Sequence, residues 1–237
     1  MNRLALVVAL AATMVIGQPP SAQQASGDPL VKFEQLLERQ PDDLRAGNDY
    51  RIAVMQAGQY DRALAFFQRL VAASPSAANA HLNYGFAYVD KIPVAGAITQ
   101  VILANNALTE FTRALELRAS WIGLYTRGNS YLFWPRIFKR THLGVADLRE
   151  ALKIQQAEKK RGYHARTFVA LGDGYWKMDE LDNASATWHD GLEEFPDNPA
   201  LRARLSKQGD DLKTLIDGSY DPNKRVDTSL QDLWTNP

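Results

Sequence analysis

The side chains that metal binding or acid–base catalysis would need are sparse in this sequence and lie far apart. There are four histidines, and no two have the spacing of a zinc-binding His-Glu-x-x-His helix: His81, His142, His164 and His189. There is no cysteine, which excludes disulfides, thiolate metal sites and a thiol nucleophile. The acidic residues Asp179, Glu180 and Asp182 lack the spacing of a calcium loop and are typical of caps in a turn. We therefore predict no metal site.

Two short glycine motifs begin like catalytic or cofactor motifs but are incomplete. Residues 128–132 have the glycine and serine of a nucleophile elbow, without its second glycine or a preceding strand. Residues 172–174 start a dinucleotide motif but lack its third glycine and its strand–helix–strand context. We predict no catalytic residue and no cofactor, and we expect the protein not to be an enzyme.

The strongest pattern in the chain is a pair of amphipathic helices over residues 165–198, separated by a polar break. Leu171, Gly172 and Tyr175 fall on one face of the first helix, because positions i, i+1 and i+4 cluster at 3.6 residues per turn. The inner stripe of the second helix combines small and large apolar residues: Ala184, Trp188, Gly191 and Leu192. The small residues at these positions let neighbouring helix backbones approach closely.

This unit resembles the tetratricopeptide repeat (TPR), which has a period of about 34 residues with small and aromatic residues at fixed places. The matching residues are Gly172, Tyr175, Ala184, Trp188 and Pro196. Residues 44–77 give a second full repeat, in which Arg51 stands where the first-helix glycine is expected. Two further repeats, at 78–119 and 121–154, have enlarged turns. Residues 28–40 resemble half a repeat.

The resemblance covers about residues 28–217 and implies an all-α fold. The expected architecture is a right-handed α-solenoid of antiparallel helix pairs with a concave groove, closed by a C-terminal capping helix at residues 199–217. In the first enlarged turn, Ile98, Val101 and Ile102 fit a backward extension of the repeat's second helix. Residues 218–237 form a polar tail with one apolar cluster, and we expect the tail to dock weakly or to be disordered.

The N-terminus predicts export. Residues 1–22 combine a basic start with an apolar run of about 14 residues, shorter than the roughly 20 that span a bilayer, which is typical of a cleaved signal peptide. Residues 23–27 read as a linker. The expected location is periplasmic or secreted, and the alternative is a membrane anchor formed by an uncleaved N-terminal segment.

In TPR proteins the first helices of the repeats line the groove, and the resemblance implies the contact positions here. They form an apolar and aromatic stripe with a few amides: Asn48, Ile52, Met55, Leu82, Phe86, Tyr125, Asn129, Asp173 and Trp176. Such a stripe suits an extended peptide or a helix with apolar anchors. The alternative is that the enlarged turns fold over the groove and that some of these residues belong to the core.

The second enlarged turn, residues 132–144, is the other candidate surface, because it places aromatic residues beside cations: Trp134, Arg136, Phe138, Lys139 and Arg140. One interpretation is a satellite core formed with the first enlarged turn, residues 89–106. The other is a partner-binding patch in which Trp134 and Phe138 are anchors and the cations form the rim. Contact with a membrane surface is a weaker variant, since each cation contributes only about 1 kcal/mol near an anionic leaflet.

The function that the sequence favours is an exported, non-enzymatic scaffold that binds a protein or peptide. The formal net charge is zero, so no global field recruits nucleic acid. The alternative is an exported small-ligand carrier or enzyme with a pocket beneath the two apolar enlarged turns. An enclosed pocket with converging polar groups favours the alternative, and an open groove favours the scaffold.

Overall fold

A computed structural model describes residues 28–235, so the predicted signal peptide and linker lie outside the described residues. Over this range the chain forms α-helices, short 3₁₀ turns and loops, with no strand. The helices are α1 Pro29–Arg39, α2 Leu44–Ala57, α3 Tyr60–Ala73, α4 Ala78–Lys91, α5 Ala97–Leu117, α6 Trp121–Leu132, α7 Thr141–Ala157, α8 Ala165–Lys177, α9 Leu181–Glu194, α10 Pro199–Leu205, α11 Gly209–Ser219 and α12 Asp232–Thr235.

Local sequence signals start and stop these helices. The side chains of Asp43, Ser120 and Asn198 accept hydrogen bonds from backbone N–H groups at the starts of α2, α6 and α10. Gly58 ends α2 in the left-handed region, with φ at 66°, a conformation that costs glycine least. The helix boundaries therefore follow from residue types that the sequence displays.

Consecutive helices pack as antiparallel pairs: α2 with α3, α4 with α5, α6 with α7, and α8 with α9. Glycine lets the helices of a pair approach. A Cβ at Gly172 would overlap the indole of Trp188, and one at Gly85 would overlap the ring of Phe111. This is the close approach that the repeat pattern predicts, and the all-α solenoid expected from the sequence is confirmed.

The enlarged turns differ in how they are built. In the first, a 3₁₀ turn at Ile92–Val94 leads into α5, which begins at Ala97, so the predicted backward extension of this helix is present. Its added turns leave Ile98 82% exposed. The second enlarged turn holds only a 3₁₀ turn, Arg136–Phe138, before α7.

Three apolar clusters form the core, and they divide the solenoid. The first joins α1 to α4, and the second joins α6 to α11. The third lies between them and combines α4 and α5 with Leu230 of the C-terminal segment. The first helices α2 and α4 pack together, as do α6 and α8, but among the described residues α4 and α6 scarcely touch. We call this break between α4 and α6 the seam.

The capping region differs from the single helix predicted for residues 199–217. It forms two helices, because Ser206 to Gln208 break the helical path and Gly209 takes a positive φ of 51°. Arg204 on α10 and Tyr220 after α11 then point to the same buried carboxylate, Asp173.

The C-terminal segment, for which weak docking or disorder was expected, lies against the solenoid. Residues 221–235, which we call the strap, run back along the first helices of the repeats. Thr228 is 6% exposed and Leu230 is 8% exposed, so both side chains are buried. The strap lies on the side of the solenoid where the groove was predicted.

Candidate binding cavity on the concave face

A cavity of about 1000 Å³ lies on the concave side, at the seam. Its floor comes from α4 and α6, its sides from α8 and both enlarged turns, and its cover from the strap and the end of α11. The seam positions this cavity, because the two first helices that would fill the space do not pack on each other. We call it the concave cavity.

Helix α6 contributes to this floor with residues four positions apart on one face: Trp121, Tyr125 and Asn129. The rings of Trp121 and Tyr125 stack with centroids 5.1 Å apart and nearly parallel planes. The indole Nε1 of Trp121 donates to Gln155 and Thr167, each at 3.0 Å. These buried bonds hold the indole of Trp121 in this orientation.

Four of the nine predicted groove residues line the concave cavity: Phe86, Tyr125, Asn129 and Trp176. Ile52 and Met55 lie on α2, further along the concave side, and both are partly buried. The Sδ of Met55 accepts a hydrogen bond from Arg225 of the strap at 3.0 Å. In this arrangement the strap therefore already contacts part of the predicted groove.

With the strap and the capping helices in place, the side chains of Asn48, Leu82 and Asp173 are buried, at 0%, 2% and 0% exposure, so in this arrangement they are not available for the predicted partner contacts. Asn48 accepts from Arg51 at 3.2 Å, and Leu82 belongs to the third core cluster. The helical spacing placed them on the correct face, but the strap and the capping helices cover that face.

Asp173 is the clearest case of a predicted contact residue that serves the fold. Arg204 donates to its two oxygens at 2.5 and 2.6 Å, and the hydroxyl of Tyr220 donates at 3.0 Å. Burial raises the pKa of Asp173, and the bonds from Arg204 oppose that shift. The carboxylate thereby ties the capping helices to α8.

The second enlarged turn contributes Trp134, Arg136 and Phe138 to the same cavity. Trp134 is 8% exposed, the ring of Phe138 meets it edge-on at 5.4 Å, and the guanidinium of Arg140 lies 3.9 Å above its centroid. Arg140 also donates to Asn105 on α5 at 3.0 Å, which joins the two enlarged turns. Trp134 thus matches the satellite-core interpretation, whereas Phe138 remains 53% exposed.

The cations of this turn are mostly engaged within the chain. Arg136 donates to both oxygens of Asp179 at 2.9 and 3.0 Å and lies over the ring of Trp176. Lys139 is exposed and has a positive φ of 51°.

Across the described residues, no helix has both the length and the apolar character needed to cross a membrane. The same part of the chain holds no group of three His, Cys, Asp or Glu suited to a metal ion.

Two solved structures share this architecture. A crystal structure of a thermophilic TPR protein from Thermus thermophilus has a TM-score of 0.55 at 23% identity, covering 75% of this chain and 87% of that chain. The crystal structure of YrrB, described as a TPR protein with an unusual peptide-binding site, has a TM-score of 0.51 at 17% identity, covering 85% and 88%. The chain has the TPR fold. No protein-family model and no curated protein matches the sequence.

Within this TPR fold, sequence reasoning missed a buried polar cluster around Arg51. Its guanidinium is 1% exposed, pairs with Asp90 at 2.7 Å and donates to Asn83 at 3.2 Å and to the Thr228 carbonyl at 2.8 Å. The sequence did carry a signal, since Arg51 replaces the small residue of the TPR motif on a face predicted to be buried. Burying a guanidinium requires partners, and all three of these come from other elements of the chain.

Lys177 is the second residue that sequence reasoning missed. It lines the concave cavity, its Nζ donates to the Leu132 carbonyl at 2.9 Å, and it lies over the ring of Tyr220. Among the described residues no carboxylate lies within ion-pair distance of this ammonium. Burial lowers the pKa of Lys177, and the more distant charges of Asp217 and Asp173 oppose that shift. Nothing in the TPR motif marks this position.

Proposed function

We propose that this protein is a non-enzymatic scaffold that binds a segment of a partner protein on its concave side. The observation that carries the proposal is the concave cavity, where residues of both predicted surfaces meet. Its volume of about 1000 Å³ accommodates several side chains of a partner. YrrB, a TPR protein of similar fold, is described as having a peptide-binding site.

The cavity wall indicates what kind of segment would bind. Trp121, Tyr125 and Trp176 present apolar and aromatic surface, which suits anchors such as leucine or phenylalanine. The rim charges are balanced, because Arg136 pairs with Asp179 and Lys213 pairs with Asp217. Recognition would therefore depend on apolar anchors more than on charge.

A quantitative capture experiment tests this proposal. The protein and its Trp176→Ala variant would be used to recover partners from the cell envelope of the source organism. We expect recovery of a specific partner to fall about thirtyfold, the loss in affinity that corresponds to a hot-spot residue of about 2 kcal/mol. Leu181→Ala is the matched control, because Leu181 is 58% exposed on α9 and does not line the cavity. Equal recovery by Trp176→Ala, with its circular dichroism unchanged, would contradict the proposal.

A small-ligand carrier is the second candidate, and the covered state of the cavity favours it. The strap closes one side, and the volume is at the upper end of the roughly 300–1000 Å³ of typical ligand pockets. Lys177 and Asn129 are two of the polar groups that line the cavity beside its aromatic residues, and they would suit an amphipathic ligand with an acidic head group. Native mass spectrometry of the purified protein tests this candidate. A bound small molecule that is lost in Lys177→Met would support it, and a ligand-free mass would count against it.

Export is also part of the proposal, and the basis is the basic start and short apolar run of residues 1–22. The expected mature N-terminus lies between residues 23 and 28. Sequencing the N-terminus of protein recovered from the envelope tests this. Full-length protein retained in the cytoplasm would contradict export, and full-length protein in the membrane would indicate an uncleaved anchor.

A further inference from the structure

The strap contacts the solenoid in the way that a bound peptide would. Its first part, residues 221–227, is an irregular and largely exposed segment. The following residues carry two side chains, Thr228 and Leu230, that enter the concave side. The strap is covalently part of the chain, yet its contacts are those of two anchors separated by one residue.

The first anchor is Thr228, which meets the buried polar cluster. Its hydroxyl donates to Asp90, and its carbonyl accepts from Arg51 at 2.8 Å. Arg51 and Asp90 are themselves paired and buried. The cluster thus offers an acceptor to the side chain and a donor to the backbone carbonyl of one residue. A peptide-binding site recognises a residue of its ligand in the same way, through both its side chain and its backbone.

The second anchor is Leu230, which enters the third core cluster beside Leu82, Phe86 and Phe111. Its φ is 52°, a left-handed conformation that residues with a Cβ rarely adopt. The apolar pocket holds the leucine in spite of this backbone strain. A separate peptide could place a leucine in the same pocket without this backbone strain, because it would not be joined to α11.

Two carboxylates flank the anchors and converge on one cation. Arg166 on α8 lies 3.7 Å from Asp227 and also pairs with Asp232. All three side chains are at least one-third exposed, so these ion pairs orient the strap and are screened by salt. The strap therefore carries an acidic residue on each side of a Thr-x-Leu pair.

From these contacts we propose that the strap is a built-in occupant of the peptide site. In the free protein it covers the concave cavity and occupies the two anchor positions beside it. It is displaced by a partner segment with the same pattern, a hydroxyl residue two positions before a leucine and flanked by acidic residues. This inference rests on the proposed scaffold function and names both its partner class and its regulation. Because a tethered segment has an effective concentration in the millimolar range, only a partner of higher affinity or high local concentration would displace it.

A labelled peptide copied from residues 221–235 tests the inference by fluorescence anisotropy on the full-length protein. We expect the Thr228→Ala/Leu230→Asp variant, whose own strap is weakened, to bind this peptide at least about tenfold more tightly than the wild type does. An unlabelled peptide with the same two substitutions should fail to compete. Gln231→Asp is the matched control, since it adds the same charge at an exposed neighbour of Leu230 and should behave like the wild type.

Hydrogen exchange on the unmodified protein gives a second test that does not depend on the variant's folding. We expect amides of residues 228–235 to exchange at least about tenfold faster than those of α4 and α6, because the strap opens without the solenoid unfolding. Equal protection, or equal peptide binding by a folded variant and the wild type, would overturn the inference. If binding of a partner is lost in Trp176→Ala but unchanged in Leu230→Asp, the proposed role of the strap is wrong and the scaffold function stands.

Discussion

At the scale of single residues, the side chains that decide this fold's concave side are buried ion pairs. The pair of Arg51 and Asp90 joins α2 to α4, and the pair of Arg204 and Asp173 joins α10 to α8. Each cation also bonds a group in the segment after α10, namely the Thr228 carbonyl for Arg51 and the Ser219 hydroxyl for Arg204. Buried pairs of this kind specify position more than they add stability. The pair of Arg204 and Asp173 fixes where the strap begins, and the pair of Arg51 and Asp90 fixes where the strap is anchored.

The Arg51–Asp90 pair gives a testable consequence for stability. We expect Arg51→Met to lower the free energy of unfolding by about 3–5 kcal/mol, because it leaves the carboxylate of Asp90 buried without its cation. Arg51→Met/Asp90→Leu should recover most of that loss, since the uncompensated charge is then removed. Urea unfolding measures both. A double variant as unstable as the single one would mean that the pair contributes packing rather than charge compensation.

His164 gives a prediction for pH. Burial lowers its pKa from 6.5, its Nδ1 accepts from the Arg161 amide at 3.3 Å, and its Nε2 is buried with no partner among the described residues. The unfolded chain therefore takes up the proton first as pH falls. The stability that His164 contributes is complete above pH 6.5 and is lost as pH falls from there through the lowered folded pKa.

Thermal melts of the wild type and His164→Gln at pH 7.5 and pH 5 measure this effect. The wild type should lose more stability between the two pH values than His164→Gln does. His189→Gln is the control, because His189 is exposed, and its pH dependence should match the wild type. A steeper loss in His164→Gln would show that protonation of His164 stabilises the folded protein, the opposite of the expected effect.

At the scale of elements, the second enlarged turn is part core and part surface. Trp134 is covered by Arg140 and Phe138, whereas Phe138 itself is half exposed. We expect Trp134→Ala to cost about 3–5 kcal/mol, as for other buried tryptophans, and Phe138→Ala to change stability by only about 0.5 kcal/mol. Denaturant unfolding separates the two. If Trp134→Ala leaves stability unchanged but reduces partner recovery, Trp134 is an anchor and the satellite-core interpretation fails.

The sequence predicted those elements whose signals are local. The repeat at residues 165–198, the glycine at 172 and the extension of α5 all follow from spacing and residue type, and the structure has each of them. The break between α10 and α11 was missed, because an apolar stripe continues through it and only Gly209 marks the turn. The partners of Arg51, Lys177 and Leu230 were missed because these contacts join residues distant in sequence, which periodicity does not encode.

At the scale of the whole molecule, the seam divides a chain that would otherwise be a continuous solenoid. In a solenoid, the free energy of unfolding is close to a sum of the stabilities of the single repeats and of the interfaces between neighbouring repeats. Repeats on opposite sides of a weak interface therefore unfold independently. Here α4 and α6 scarcely touch across the described residues, and the strap supplies apolar contact at that place through Leu230. The strap thus adds to the packing of α5 on α6 between the two halves, and a partner segment in the same site would do so in its place.

Tryptophan placement makes this coupling measurable. All five tryptophans lie at or after residue 121, and four of them lie between α6 and α9, so indole fluorescence reports chiefly on the second half of the solenoid, while far-ultraviolet circular dichroism reports on every helix. In the wild type we expect both signals to give one coincident urea transition, as for a cooperative unit. Leu230→Asp should separate the midpoints, because losing a buried leucine contact of about 2–3 kcal/mol weakens the seam more than either half. Gln231→Asp should keep them together. Coincident midpoints in Leu230→Asp would mean that the halves are coupled through α5 and its contacts with α6, and that the strap covers the seam without holding it.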